Sequence, residues 1–317
     1  MPTVHTVTGP IDTADLGFTL MHEHVFVLSE GVNANFPRLW HRDEQVAAAI
    51  AAMREAKAHG VSTMVDLTVL GLGRDVRVVR EIARESGMHV VVATGLYTYD
   101  ELPHYFASRP VEQMAECFVK DIQEGIQDTE IRAAILKCAT DEKGVTPGVE
   151  KVLRAVAQAH RRTGVPISTH THAATRRGLE QQRIFREEGV DLGRVVIGHS
   201  GDSEDIAYLE ELMAAGSYIG MDRFGIDSFL PTEKRVATIV KLCERGHAGR
   251  MVLAHDASCY IDWFEPALVK AAMPRWSFLH ISDDVVPALR QSGVTDDQIR
   301  QMTIENPRRI FEAQGAY

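Results

Sequence analysis

Residues 63–94 read TMVDLTVLGLGRDVRVVREIARESGMHVVVAT and contain the pattern that decides the fold. Thr63–Leu67 and Val90–Thr94 are short apolar runs, typical of strands that are buried on both faces of a parallel sheet. Between them, Asp75–Ser86 has the spacing of an amphipathic helix, and Gly87 follows as the residue that ends it. The stretch is therefore predicted to be a strand–helix–strand unit of a parallel sheet.

The same unit recurs along the chain. Strands are predicted at Phe18–His22, Thr63–Leu67, Val90–Thr94, Ala133–Lys137, Pro166–His170, Val195–His199, Tyr218–Met221 and Met251–Asp256. Further helices are predicted at Gln45–His59, Val149–Thr163 and Glu204–Ala215, and a capping box at Thr295–Gln298. The strands begin about 33 residues apart on average, so we predict one α/β domain over residues 1–317, a (β/α)8 TIM barrel. A doubly wound open sheet with a small second domain is the alternative.

The composition is that of a globular protein, and it argues against nucleic-acid or membrane binding. Hydrophobic residues make up 45% of the 317 residues and the net charge is −10, whereas nucleic-acid binding needs a basic face. The longest apolar run is far below the roughly 18 residues of a membrane helix, and the first residues do not resemble a signal peptide. The cysteines lack a CxxC pair, which favours a reducing cytoplasm. They are Cys117, Cys138, Cys243 and Cys259.

Side chains that can bind metal stand at the ends of the predicted strands. In a TIM barrel, the carboxyl ends of the strands meet at the face that carries the active site. These residues are His22, His24, His170, His199 and Asp256. His22 and His24 lie two apart on one strand and therefore face the same side. Such nitrogen and carboxylate ligands suit zinc, iron, cobalt or manganese, and histidines that only pack the barrel are the alternative.

Lys137 is unusual because it ends an apolar strand, where a free ammonium group is costly to bury. Carbamylation by CO2 would turn this cation into an anion whose two oxygens can bridge two metals. A lysine with a lowered pKa that forms a Schiff base, as in an aldolase, is a second interpretation. A lysine paired with a carboxylate is the third. The surrounding histidines favour the bridging carbamate.

Several longer stretches match one family. They are residues 6–12 (TVTGPID), 17–25 (GFTLMHEHV), 67–76 (LTVLGLGRDV), 93–99 (ATGLYTY), 220–225 (GMDRFG) and 305–311 (ENPRRIF). Together with the ordered set of histidines, lysine and aspartate, they resemble the phosphotriesterase family of the amidohydrolase superfamily, and in particular its phosphotriesterase-like lactonases. The resemblance runs over nearly the whole chain.

The resemblance implies a centre of two divalent metal ions at the carboxyl ends of the strands. His22, His24 and Asp256 would hold the more buried ion, His170 and His199 the more exposed one, and carbamylated Lys137 and a hydroxide would bridge them. The metals would polarise the substrate oxygen, and the hydroxide would attack.

The resemblance also implies roles for residues around the metals. Asp256 would accept a proton and deliver it to the leaving group. Tyr97 would lie near the hydroxide or the ring oxygen of a lactone, and Arg223 would orient Tyr97. We interpret His172 as a supporting or structural residue, and His255 as one that packs or hydrogen-bonds beneath the site.

The chain after Asp256 is long for a connection between strand and helix, and it is rich in aromatic residues. We expect it to provide an apolar lining for an acyl tail. Together with the residues near the metals, the predicted substrate pocket comprises Tyr97, Arg223, Cys259, Trp263, Met273 and Trp276. Packing of these aromatic residues onto the barrel or in a dimer interface is the alternative.

The predicted activity is the opening of lactones, including N-acyl-homoserine lactones, with a weak phosphotriesterase side activity on organophosphates. The alternatives are a dedicated phosphotriesterase, a Schiff-base aldolase that uses Lys137, and a non-catalytic binding protein. By the same resemblance, the chain is expected to form a homodimer.

Overall fold

The computed structural model describes residues 2–97, 100–312 and 315–317. Its strands are β1 (Thr3–Thr6), β2 (Gly9–Asp12), β3 (Thr19–Val27), β4 (Thr63–Asp66), β5 (His89–Gly95), β6 (Ile135–Thr140), β7 (Ile167–Thr171), β8 (Val195–Ile197), β9 (Tyr218–Met221), β10 (Met251–Leu253) and β11 (Ser258–Ile261). The eight strands predicted from the sequence are confirmed as β3 to β10. They form a parallel sheet in chain order, a TIM-type barrel, and β11 adds a ninth strand beside β3.

Backbone hydrogen bonds close the barrel between its last and first strands. The amide of Asp256 donates to the carbonyl of His22 over 3.0 Å, and the amide of His24 donates to the carbonyl of Ala257 over 2.8 Å. The chain just after β10 is therefore hydrogen-bonded to β3. This closure brings Asp256 beside the two histidines of β3, which are 200 residues and more away in sequence.

The helices cover the outside of the barrel. They are α1 (Glu30–Asn35), α2 (Arg42–Ala58), α3 (Val76–Ser86), α4 (His104–Ala107), α5 (Val111–Gln123), α6 (Pro147–Thr163), α7 (Arg177–Glu187), α8 (Ile206–Ala214), α9 (Thr232–Glu244), α10 (Pro266–Ala272), α11 (Val286–Gln291), α12 (Asp296–Arg300) and α13 (Asn306–Glu312). The four helices predicted from the sequence are α2, α3, α6 and α8, with ends that differ by three residues or fewer. The predicted capping box is confirmed, since Thr295 and Gln298 cap each other's backbone at the start of α12.

Two apolar cores hold the barrel together. Between the sheet and the helices lies the larger core, which contains Met64, Val90 and Val92. Inside the barrel lies a smaller one, to which the neighbouring residues Val65 and Val91 contribute. The alternation of successive side chains along β4 and β5 explains the division. The interior core is continued by residues from the N-terminal hairpin, from the turn after it and from α13: Val4, Leu16, Ile310 and Phe311.

Four of the predicted strand ends were wrong by two residues or more. β6 continues to Thr140, so Lys137 lies within the strand and does not end it. β3 continues to Val27, so His22 and His24 lie within the strand and not at its end. β8 ends at Ile197 and β10 at Leu253. His199 and Asp256 therefore lie on the loops, where their positive φ angles of 57° and 54° are incompatible with an extended strand.

The segment after Asp256 was predicted as a long connection, but it contains secondary structure of its own. It includes β11, which pairs with β3, and the short helix α10. Among the described residues, the helices include none with the length and apolar character required to cross a bilayer.

Candidate metal centre and active site

Three histidine side chains converge on Asp256 at the carboxyl end of the barrel. Nε2 of His22 lies 3.4 Å, and Nε2 of His24 3.2 Å, from Oδ1 of Asp256. Nε2 of His199 lies 3.7 Å from its Oδ2. The ligand atoms of His22, His199 and Asp256 all lie within 4.8 Å of one another, so this group could hold a metal ion. All three histidines are buried.

Asp222 determines which nitrogen of two of these rings faces inward. Its carboxylate accepts hydrogen bonds from Nδ1 of His22 over 3.0 Å and from Nδ1 of His199 over 2.8 Å. The backbone amide of His199 also donates to Asp222. Because Nδ1 of each ring carries the proton, the lone pair of each Nε2 points toward Asp256. A carboxylate behind the histidine is the usual support of a metal ligand.

His24 is oriented in the same way by Thr68. The hydroxyl of Thr68 donates to Asp66 over 2.5 Å, and it therefore accepts from Nδ1 of His24 over 2.9 Å. Nε2 of His24 is left facing Asp256. The donor set of imidazole nitrogens and a carboxylate thus fits a borderline divalent cation such as zinc.

Lys137 lies among these groups on β6, with its side chain almost fully buried. Its Nζ donates to Nε2 of His22 over 2.7 Å. Burial lowers the pKa of Lys137 to about 8, mainly because the charged form is poorly solvated. Asp256 and Asp222 partly oppose this shift, because their negative charges favour the ammonium form of Lys137.

Gly95 on β5 makes room for the backbone of Lys137. Its φ angle is +143°, and a Cβ atom there would lie 1.8 Å from the carbonyl oxygen of Lys137. Only glycine fits this contact without a shift of the backbone.

His170 on β7 joins the group from the other side. Its ring stands perpendicular to that of His199, with a centroid distance of 4.6 Å, and perpendicular to that of Tyr97 at 5.4 Å. Burial lowers the pKa of His170 and holds that of His199 well below its usual value, so both rings are neutral and able to act as ligands. Nε2 of His170 lies 3.8 Å from Oδ2 of Asp141.

Arg223 connects Asp256 to a second buried acid. Its Nε donates to Oδ2 of Asp256 over 3.0 Å, and its Nη1 donates to Oδ2 of Asp202 over 3.0 Å. Asp202 in turn pairs with the fully buried Arg235 at 2.7 Å. Burial works to raise the pKa of Asp256, but His199, His22 and Arg223 outweigh it and hold that pKa well below its usual range. Asp256 is therefore a carboxylate.

Three of these residues have a left-handed backbone. His199, Arg223 and Asp256 have φ angles of 57°, 68° and 54°, and each follows the end of a barrel strand. A non-glycine residue in this region costs on the order of 1–3 kcal/mol and is concentrated at functional sites. The turn directs each side chain over the mouth of the barrel.

A cavity of about 330 Å³ opens above these residues. The predicted pocket residues Tyr97, Arg223, Trp263, Met273 and Trp276 line it, together with Ile226, Ser228, Phe229 and Phe264, among others. Cys259 instead lines a neighbouring cavity beneath Trp276. Because successive residues of a strand face opposite sides, Ser258 points into the main cavity and Cys259 away from it.

The two remaining histidines of the strand ends lie outside this cavity. Nδ1 of His172 bonds the hydroxyl of Thr175 over 2.8 Å. His255 is fully buried, and its Nδ1 donates to Glu23 over 2.7 Å. Glu23 stands between His22 and His24 and also accepts from the amides of His255 and Ala257.

Several of these supporting residues were not predicted. Asp222 immediately follows the predicted strand Tyr218–Met221, and attention to that strand end would have identified it. Glu23, Asp202 and Arg235 have no such signal, because their roles depend on contacts between residues that are far apart in sequence.

Comparisons with known proteins agree with this geometry. A model of the phosphotriesterase family matches residues 2–311. The chain is 60% identical to the phosphotriesterase homology protein of Mycobacterium tuberculosis over the full length of both. It is 44% identical to the aryldialkylphosphatase of Saccharolobus solfataricus, over 95% of this chain and 96% of the relative. The solved structure of the phosphotriesterase from Mycobacterium tuberculosis superposes with a TM-score of 0.97, covering 100% of both chains. The resemblance predicted from the sequence is confirmed, and the chain belongs to the phosphotriesterase family.

Proposed function

We propose that this chain is a metal-dependent hydrolase that opens lactones, including N-acyl-homoserine lactones, with a weak phosphotriesterase side activity. The observation that carries the proposal is the convergence of three histidine Nε2 atoms on Asp256, beside the buried Lys137, at the floor of a cavity. Membership of the phosphotriesterase family supports hydrolysis as the reaction class.

The proposed centre contains two divalent ions of zinc, cobalt, iron or manganese. One would be held by His22, His24 and Asp256, the other by His170 and His199, with carbamylated Lys137 between them. The lowered pKa of Lys137 supports this, because only a neutral amine reacts with CO2. When bound, the ions would polarise the substrate oxygen and lower the pKa of a shared water.

The protein side chains carry the proton transfers. We assign Asp256 as the base that accepts a proton from the attacking water and as the acid that returns it to the alkoxide leaving group. The opening of a lactone ring then yields a hydroxy acid. Arg223, which donates to Oδ2 of Asp256, would orient this carboxylate. Tyr97, beside His170, would contact the ring oxygen of the substrate.

The walls of the cavity support an acylated lactone as the substrate. Trp263, Phe264, Met273 and Trp276 provide apolar surface that suits an alkyl tail. The ring of Tyr97 lies 6.3 Å from that of Trp263, so the tail and the reacting ring would share one cavity. A dedicated phosphotriesterase is the second candidate, favoured by the 44% identity to a protein named aryldialkylphosphatase.

A substrate panel distinguishes the two candidates. We expect kcat/KM for N-acyl-homoserine lactones to exceed that for an aryl dialkyl phosphate on the same metal-loaded sample. A higher value for the triester would instead establish the second candidate. Asp256→Asn should lower kcat for both substrates. Borohydride in the presence of substrate should not inactivate the enzyme, although it would inactivate a Schiff-base aldolase.

We also propose that the chain forms a cytoplasmic homodimer. Phe36, Leu39, Phe264 and Leu268 are large apolar side chains, each more than half exposed. A second copy of the chain would cover such surface. Light scattering at micromolar concentration should give twice the monomer mass of 35.2 kDa, and a monomer would contradict the proposal.

A further inference from the structure

Two chain segments that meet at Gly225 and Trp276 both line the cavity above the candidate metal centre. One is the loop of residues 222–231 between β9 and α9, and the other is the segment of residues 262–280, which contains α10. Ile226, Ser228 and Phe229 of the loop line the cavity, as do Met273 and Trp276 of the segment. The distance between these two segments therefore determines how wide a substituent the cavity accepts.

One ion pair joins the two segments. Nη2 of Arg275 lies 2.5 Å from Oδ2 of Asp227. Asp227 stands between Ile226 and Ser228 in sequence, and Arg275 precedes Trp276, yet neither charged residue lines the cavity. The ion pair thus connects the two wall segments at a point outside the cavity.

Further contacts fix both partners of this pair. Oδ1 of Asp227 accepts from the amide of Thr232 over 3.0 Å and from its hydroxyl over 3.1 Å. At Gly225, with φ +94°, a Cβ atom would lie 2.7 Å from Cα of Trp276, so the loop and the segment also meet backbone to backbone. The indole of Trp276 donates to the carbonyl of His255 over 3.0 Å, which anchors it to the barrel.

We propose that Asp227 and Arg275 are specificity-determining positioning residues for the hydrolytic site. Their ion pair sets the separation between Phe229 on one wall and Trp276 on the other, and so limits the bulk of the substituent that can bind. The identity of the substrates rests on the proposed function, but the position of the ion pair does not. Neither residue contacts the reacting atoms, so the pair acts through KM for bulky substrates and not through the chemical step.

The chain offers a matched control. Arg275 also pairs with Glu233 of α9, at 3.1 Å between Nη1 and Oε1. The side chain of Glu233 is 72% exposed, and Glu233 does not line the cavity. Glu233→Gln therefore removes an ion pair from the same arginine without releasing the loop, whereas Asp227→Asn releases the loop and can keep the hydrogen bonds from Thr232.

The experiment measures kcat/KM on metal-loaded protein for a bulky and a small member of the substrate class that the parent hydrolyses, lactones or phosphotriesters. Asp227→Asn should raise the bulky-to-small ratio about fivefold, the upper range for a partly exposed ion pair, through KM and with kcat and metal content unchanged. Arg275→Gln should behave alike, Arg275→Lys should restore most of the parent ratio, and Glu233→Gln should match the parent.

Hydrogen exchange of residues 262–280 provides a readout that needs no substrate. Exchange in this segment should be faster in Asp227→Asn and Arg275→Gln than in the parent and Glu233→Gln. The proposed role of the Asp227–Arg275 ion pair would be overturned if the bulky-to-small ratio did not change or if it changed equally in Glu233→Gln. Unchanged hydrogen exchange of residues 262–280 would overturn it as well. If the unsubstituted protein hydrolyses only triesters, the proposed lactone activity is refuted. The bulky-to-small ratio measured on triesters would still decide the role of the Asp227–Arg275 ion pair.

Discussion

The candidate centre depends on single residues that tolerate no substitute, and Gly95 is the clearest case. Two separate features require glycine at this position: its left-handed φ angle and its close contact with the backbone of Lys137. The first excludes most side chains through strain, and the second excludes any Cβ atom through overlap. Because Gly95 has no side chain, the backbone of Lys137 can take the position that places this lysine in the site.

Gly95→Ala should lower the free energy of unfolding by about 2–3 kcal/mol more than a substitution that adds backbone strain alone. Gly9→Ala is the control, because Gly9 also has a positive φ, +123°, but nothing lies within 4 Å of its added Cβ. That variant should lose only about 1 kcal/mol. Urea unfolding measures both, and equal losses would mean that the contact with Lys137 is easily relieved.

Asp222 holds two imidazoles at once, so its replacement should affect metal binding more than folding. In Asp222→Asn, one amide cannot accept from both Nδ1 atoms through equivalent oxygens, and one histidine loses its fixed tautomer. We expect metal affinity to fall by about 10- to 100-fold. Asp205→Asn is the control, since Asp205 caps α8 and asparagine caps equally well. The measurement is the metal content of each variant after dialysis against a chelator. If Asp222→Asn and Asp205→Asn retained the same amount of metal, the role of Asp222 would be contradicted.

At the scale of elements, the strands could be predicted and the turns beyond them could not. The runs of Val, Ile and Leu in β4, β5 and β8 carry their own signal because both faces of these strands are buried. The left-handed turns at His199 and Asp256 arise from tertiary contacts, which sequence periodicity does not encode. For the same reason β11 was missed, since its partner β3 is more than 200 residues away.

The segment of residues 262–280 yields a prediction about chain length. Trp263 lines the cavity and is 44% exposed, so Trp263→Ala should remove apolar contact from an acyl tail. In the parent, each buried methylene contributes at most about 0.8 kcal/mol of binding. The dependence of kcat/KM on lactone chain length should become flatter in the variant, with metal content unchanged.

Leu268→Ala serves as the control for this series, because Leu268 is 66% exposed and does not line the cavity. It should reproduce the slope of the parent. An equal loss at every chain length in Trp263→Ala would show that Trp263 supports the centre or the fold and does not contact the tail.

At the scale of the whole molecule, the barrel buries neutral histidines that an unfolded chain would protonate. Burial lowers the pKa of His22 from 6.5 to about 4. The unfolded chain therefore binds more protons below pH 6.5, and the folded state of the metal-free protein loses stability as the pH falls from 6.5 to 4. His22 alone should account for about 3 kcal/mol of this loss.

Urea unfolding of the metal-free protein across this range tests the expectation. His22→Asn should show a shallower loss of stability between pH 6.5 and 4 than the parent does. His172→Asn is the control, because His172 is partly exposed and bonds only a local threonine hydroxyl. If the slopes of the parent and His22→Asn coincide, burial of His22 is not what makes the protein sensitive to acid.

The residues of the candidate site were predictable to the extent that they follow strands. His22, His24, Lys137 and His170 lie on barrel strands, His199 and Asp256 lie on the turns that follow β8 and β10, and the structure brings the six together. Asp202 and Arg235 could not be predicted, since their ion pair joins the turn after β8 to helix α9, and only the folded barrel brings these two elements together. The single domain over residues 1–317 and the catalytic roles of these residues stay predictions.

We expect the six convergent residues to form a hydrolytic centre with two metal ions. The most direct test is a titration of the metal-free protein with Zn²⁺ or Co²⁺, in bicarbonate buffer, while lactone hydrolysis is followed. Activity should rise until two metal equivalents per chain are bound, and Lys137→Ala should bind fewer and stay inactive. Full activity with less than one metal per chain, or a Lys137→Ala variant with both metals and a normal rate, would contradict it.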